Sequence, residues 1–134
     1  MVQQITAPGE VVTFEANADL SGFVYTIMYK TATDDNRVDL ATQPSSRDQV
    51  PLGVLQNKPA AAGREANVKV SGVCNVEAGA AVTAGRALTF DSSGRVIHQS
   101  SAGQYCVGIA LTSAGAAAEQ LAMLWRASVL ANSF

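Results

Sequence analysis

The alternation of apolar and polar positions is clearest in residues 51–72, PLGVLQNKPAAAGREANVKVSG. An apolar run leads through a Pro/Ala/Gly connection into a segment where Ala66, Val68 and Val70 point one way and Glu65, Asn67 and Lys69 the other. A period of two predicts strand, loop and half-buried strand. The pattern returns at a constant offset (108 − 53 = 55 residues). Gly108-Ile109-Ala110-Leu111 answers Gly53-Val54-Leu55-Gln56, and Ala116-Ala117-Ala118 answers Ala61-Ala62-Gly63. Leu121, Met123 and Trp125 answer Ala66, Val68 and Val70. Two related β units packed together are expected, and not a stacked array, which needs three or more repeats.

Other segments carry the same period. Residues 10–16, EVVTFEA, read as a strand, and 22–30, GFVYTIMYK, as a longer one with Phe23, Tyr25, Ile27 and Tyr29 on one face. Short strands follow at 37–41 and 72–76. Residues 86–91 and 95–99 flank Ser92-Ser93-Gly94, a hairpin signal, and 105–111 read as a buried strand. Residues 119–131 favour helix by their Ala, Leu, Met and Glu content, but the echo of 65–70 predicts strand at least to Trp125. The chain is therefore all-β, with eight to ten short strands. Residues 1–20 form an N-terminal arm and first strand, and 21–134 a single β-rich domain.

Composition narrows the function. Hydrophobic residues make up 48% of the 134, enough for a core, yet aromatics are only 6%. Small side chains favour tight sheets and close subunit contacts over deep pockets. Net charge is −2, and the nine basic residues are scattered singly, which argues against nucleic-acid binding. Charge is uneven: residues 1–50 hold seven acids and three bases, residues 51–134 four acids and six bases. No cationic leader opens the chain, since Lys30 is the first basic residue, and no stretch is apolar enough to span a membrane. Cys74 and Cys106 lie in β-like apolar settings and are expected as reduced, buried thiols.

No catalytic constellation emerges. His98 stands alone without ligand-spaced partners, and neither cysteine belongs to a C-x-x-C pair. Residues 79–86 depart from a phosphate loop by one residue of spacing and by Arg86-Ala87 in place of Lys-Ser/Thr. Ser113 lacks the leading Gly of a nucleophile elbow, and no spacing supports Ser92 or Ser93. Asp34-Asp35-Asn36 with Asp39 lacks the Gly and distal Glu of a calcium loop, so turn chemistry accounts for it. No cofactor or metal site is expected, and no enzymatic activity.

Three segments in order, PLGVLQNKPAAAGREANVKVSG, VEAGAAVTAGRALTFDSSGRVI and YCVGIALTSAGAAAEQLAMLW, resemble the capsid cement, or head decoration, proteins of tailed bacteriophages. The likeness covers about residues 20–125. It implies a small β-sandwich or barrel-like domain, here with an extended N-terminal arm. It further implies a structural virion protein, made in the host cytoplasm, that sits on the outer capsid surface. There it would cement neighbouring major capsid protein subunits as a homotrimer at three-fold or quasi-three-fold positions. No nucleic-acid or membrane partner is implied. For such a role the expected contact residues are Val2, Gln3, Gln4, Ile5 and Glu10 in the N-terminal segment 1–15, with Tyr25, Ile27 and Trp125 on strand faces. The competing reading is a carbohydrate-binding or adhesion module in which Tyr25, Tyr29 and Trp125 stack on sugars.

Overall fold

The computed structural model describes residues 9–128 apart from 33 and 102; among these there is no helix. Ten strands form two sheets: β1 (Val11–Ala16), β2 (Ile27–Lys30), β3 (Arg37–Leu40), β4 (Pro51–Leu55) and β5 (Glu65–Lys69), then β6 (Val73–Glu77), β7 (Ala87–Phe90), β8 (Val96–His98), β9 (Cys106–Ala110) and β10 (Gln120–Ser128). The first five close into a barrel in the order β1-β3-β2-β4-β5. All its pairings are antiparallel except the closing seam, where β1 and β3 run parallel through Glu15 with Arg37 and Ala16 with Val38. The second five pair in the order β6-β10-β9-β7-β8. A parallel bridge between Ala78 and Val96 brings β8 back to the end of β6.

The two units share one pairing pattern, fully closed in the first and met by a single bridge in the second. Val54 opposes Lys69 and Leu55 opposes Val68 in the first; Ile109 opposes Leu124 and Ala110 opposes Met123 in the second. That is the 55-residue offset kept to the residue. β1 matches β6, since Val11 faces Lys69 as Val73 faces Leu124 (73 − 11 = 62). β2 matches β7, since Met28 faces Gly53 as Leu88 faces Gly108 (88 − 28 = 60). β3 matches β8, since Met28 faces Leu40 as Leu88 faces His98 (98 − 40 = 58). The parallel seam repeats too, Ala16 with Val38 becoming Ala78 with Val96.

Matching positions share a backbone conformation. Tyr25 and its counterpart Gly85 are both left-handed, with φ of 66° and 90°, and each donates its N–H to the end of the facing strand, Leu55 O and Ala110 O. Gly63 and Ala118 are likewise left-handed, at 85° and 72°. A tyrosine and an alanine thus stand where the sister unit has the residue that tolerates positive φ. Gly53 and Gly108 fill a second shared slot. A β-carbon on Gly53 would meet Lys69 O and Val68 Cγ1, both at 2.5 Å. One on Gly108 would meet the matching Leu124 O, with Met123 Cγ at 2.9 Å.

The cores show how the units join. Ala16, Leu20, Met28, Val38, Leu55, Ala66 and Val68 fill the first barrel. Their counterparts Ala78, Val82, Leu88, Val96, Ala110, Leu121 and Met123 are buried in the second, but that cluster also takes in Ile27, Ala41 and Val54 of the first unit. The second unit therefore packs on the outer face of β2 and β4. Backbone bonds fix the junction: Ile27 N–H donates to Gly94 O at 2.8 Å, and Glu77 N–H to Tyr25 O at 2.9 Å.

The strand expected over 22–30 is only half formed. Residues 22–26 are turn, because Thr26 bonds back to Phe23 O through both its N–H and its Oγ1, and Tyr25 is left-handed. Phe23 consequently packs on the first core while Ile27 is buried in the second, so the expected common face of Phe23, Tyr25, Ile27 and Tyr29 does not exist.

Candidate functional site

At the barrel seam, and at the matching bridge of the second sheet, an arginine lies between two acids. Arg37 lies 3.6 Å from Glu15 across the β1–β3 seam and 3.7 Å from Asp34 in the preceding turn. Arg95 repeats this at 3.8 Å from Glu77 and 3.9 Å from Asp91. Glu77 and Arg95 also border an open cleft of about 310 Å³ with Gly22, Phe23, Thr26 and Ser93, at the junction of the units. A second cleft, about 610 Å³, is lined by Tyr29, Thr31, Gln43, Ser46 and Gln49 among others. Both are open; the first holds Ser93 with Glu77 and the second Ser46 with Asp48, whose backbone N–H donates to Ser46 Oγ at 3.1 Å.

The polar groups singled out in the sequence serve the fold. His98 Nε2 accepts the N–H of Thr83, and Ser113 Oγ accepts that of Ala84. Asp34 accepts the N–H of Asn36 within its turn, and Asp39 accepts from Asn17 Nδ2. No group of three metal-ligating side chains occurs among the described residues, and no helix among them could cross a membrane. The cysteines are free thiols; Cys74 is buried and Cys106, expected buried, is half-exposed. Burial pushes the Cys74 thiol upward, against the pull of nearby Lys69. It likewise raises the Tyr29 and Tyr105 phenols. The exposed Asp19 carboxyl is held low by hydrogen bonds from the Ser21 N–H and hydroxyl.

The expected contact residues scatter. Val2, Gln3, Gln4 and Ile5 lie outside the described residues. Glu10 is exposed at the mouth of β1; its N–H donates to Ser71 Oγ and its carbonyl accepts from Val70. The second part of the expected arm, from Val11 onward, is barrel strand. Tyr25 is half-buried in its left-handed turn. Ile27 is fully buried where the two units meet, so it joins halves of one chain and is closed to an outside partner. Trp125 is half-buried against the second core, as is Tyr29.

Sequence reading missed the exposed apolar side chains Val11, Val12 and Val50. A signal was present: two consecutive valines in one strand must point to opposite faces, so one of them leaves the barrel interior.

This β architecture is shared with a solved structure, the N base of head fiber gp8.5 of bacteriophage phi29. That chain is 16% identical, with a TM-score of 0.67 and 87% of this chain and 93% of that one covered. At that identity the likeness speaks to the fold alone. No curated protein matches. The family model for phage cement proteins matches residues 5–125, nearly the whole length, and the chain belongs to that family.

Proposed function

We propose that this protein binds the outer surface of the assembled phage head and cements neighbouring major capsid protein subunits, as a homotrimer at three-fold or quasi-three-fold positions. Membership of the cement family already gives it a capsid-associated structural role. The observation that carries the finer reading is the match to that family over residues 5–125, on a fold whose polar groups are spent on turns and seams. The chain acts by binding alone and catalyses no reaction.

Cementing is linkage. A protein that binds only the expanded shell stabilises that shell, by about 2.7 kcal/mol per site at a hundredfold excess over Kd. Three tethered copies multiply weak contacts without new chemistry. Contact with the capsid or a neighbouring subunit is assigned to the N-terminal segment with Val2, Gln3, Gln4, Ile5 and Glu10, and subunit contact to the separate faces that carry Tyr25 and Trp125. Residues 1–8 can be removed without touching β1, which begins at Val11. The test is co-sedimentation with expanded capsids. Saturable binding by the full chain, and loss of occupancy on deleting residues 1–8, are expected. Full occupancy without that segment would remove it from the interface, and absence of any binding would overturn the cement reading.

A further inference from the structure

The duplication shows which surface a second copy would cover. Among the described residues the exposed large apolar side chains are Val11 at 49%, Val12 at 36% and Val50 at 42%. Their counterparts in the second unit are Val73, Cys74 and Tyr105 (11 + 62, 12 + 62 and 50 + 55), exposed by only 8%, 1% and 2%. Val11 and Val73 are the same residue at equivalent strand positions, and only Val73 is covered; Cys74 and Tyr105, which stand for Val12 and Val50, are buried as well.

The cover of the second unit comes from the first. Lys69 Nζ donates to Val73 O at 2.7 Å. The loop between β3 and β4 lies over Tyr105: the Tyr105 N–H donates to Pro44 O and its hydroxyl to Ser46 O, each at 2.8 Å. The first unit has no such neighbour on its own side among the described residues. The groups that would repeat the cover are the counterparts of Lys69 and of that loop. They are Leu124 on β10 and the loop between β8 and β9, which includes Ser100, Ser101 and Gln104. Leu124 is half-exposed. An apolar side chain thus stands where the first unit has a lysine, which suits a contact with exposed valines.

We propose that Val11, Val12 and Val50 of one copy are covered by the Leu124 side of the second unit of another, repeating between chains the junction that joins the units within one. The contact is head-to-tail: each copy uses one surface to give cover and a different one to receive it, and three copies satisfy every such contact only as a closed ring. The proposal rests on the homotrimer above for its copy number; its surfaces come from the intrachain junction.

The test is light scattering of purified protein, without capsids. Wild type is expected at three chain masses. Val11→Asp and Val50→Asp, at sites already exposed, and Leu124→Glu, which puts a carboxylate at a half-exposed position, are each expected at one chain mass with melting within about 3 °C of wild type. Because Val11→Asp spoils only the receiving surface and Leu124→Glu only the giving one, their equimolar mixture should recover a two-chain species. A variant that keeps three chain masses, or a mixture that stays monomeric, overturns the proposal. So does a Val11→Asp variant that stays trimeric but loses capsids, which would assign the valines to the capsid. A monomeric wild type that still saturates capsids would refute this contact and leave the cement reading standing.

Discussion

Placing a methyl group on Gly108 tests whether the duplicated hairpins are held together as described. A β-carbon there would lie against Leu124 O, with Met123 Cγ at 2.9 Å. In the sister unit the same substitution at Gly53 would bring it within 2.5 Å of both Lys69 O and Val68 Cγ1. A carbon and a carbonyl oxygen need about 3.2 Å, so the strands must part by about 0.7 Å or more. Neither obstacle at Gly53 yields cheaply, since one is backbone and the other a branched side chain in a packed barrel. Overpacking of this kind costs about 1–3 kcal/mol, and a strained ladder hydrogen bond about 1 more. The stiffer unfolded chain gives back about 0.4–1 kcal/mol. The net loss is about 1–3 kcal/mol, or about 4–12 °C in Tm for a chain of this size. Urea unfolding followed by Trp125 fluorescence is a direct readout, because Trp125 faces Gly108 across the β9–β10 ladder. Gly22→Ala is the control: nothing lies within 4 Å of its added carbon, and a change below about 0.5 kcal/mol is expected. If Gly108→Ala and Gly53→Ala unfold like wild type, or if Gly22→Ala is as costly, the close approach is not what holds these strands.

The left-handed pair makes a prediction of opposite signs. Ala118→Gly should raise stability by about 0.5–1 kcal/mol, and Gly63→Ala should lower it by a similar amount, in thermal melts of the two variants. Tyr105→Phe removes the hydroxyl that donates to Ser46 O and should cost about 1 kcal/mol, read by urea unfolding; an unchanged midpoint would show that the loop does not hold the second unit. Stability should fall on the alkaline side. Burial raises the Cys74, Tyr29 and Tyr105 acids in the folded state, so the unfolded chain loses those protons first and is favoured as pH passes the ordinary thiol value of about 8.5 and then the phenol value of about 10. Melting between pH 7 and 11 checks this, and a Cys74→Ala variant should flatten the first part of the decline.

The all-β class and nearly every strand were legible because alternating apolar residues and Gly-containing turns mark strands locally. The duplication was legible only in part. The offset between units is 62 residues at β1, 60 at β2, 58 at β3 and 55 at β4 and β5, since the first three connections of the second unit are shorter and the last is equal. A constant-offset comparison therefore finds one hairpin, and hydrogen-bond register is needed to find the other three strands. Residues 22–26 were misread because Phe23 and Tyr25 have strand-like side chains; nothing in their type reveals a left-handed turn, although Gly85 occupies the same slot. Ile27 looked like a surface candidate because its strand carries apolar residues on both faces, and only the packing of the second unit on the first explains why. The consecutive valines 11 and 12 mark one outward side chain, whereas the exposure of Val50 depends on packing that no local pattern records.

The central claim is that this protein stabilises an assembled phage head by binding it. The measurement that tests it most directly is the thermal disruption of expanded capsids, with and without saturating purified protein, alongside the bound copy number. The account predicts a disruption temperature that rises with occupancy and levels off at saturation, with copies bound in multiples of three per site. Capsids that bind the protein and fall apart at the unchanged temperature, or that do not bind it, would contradict the account.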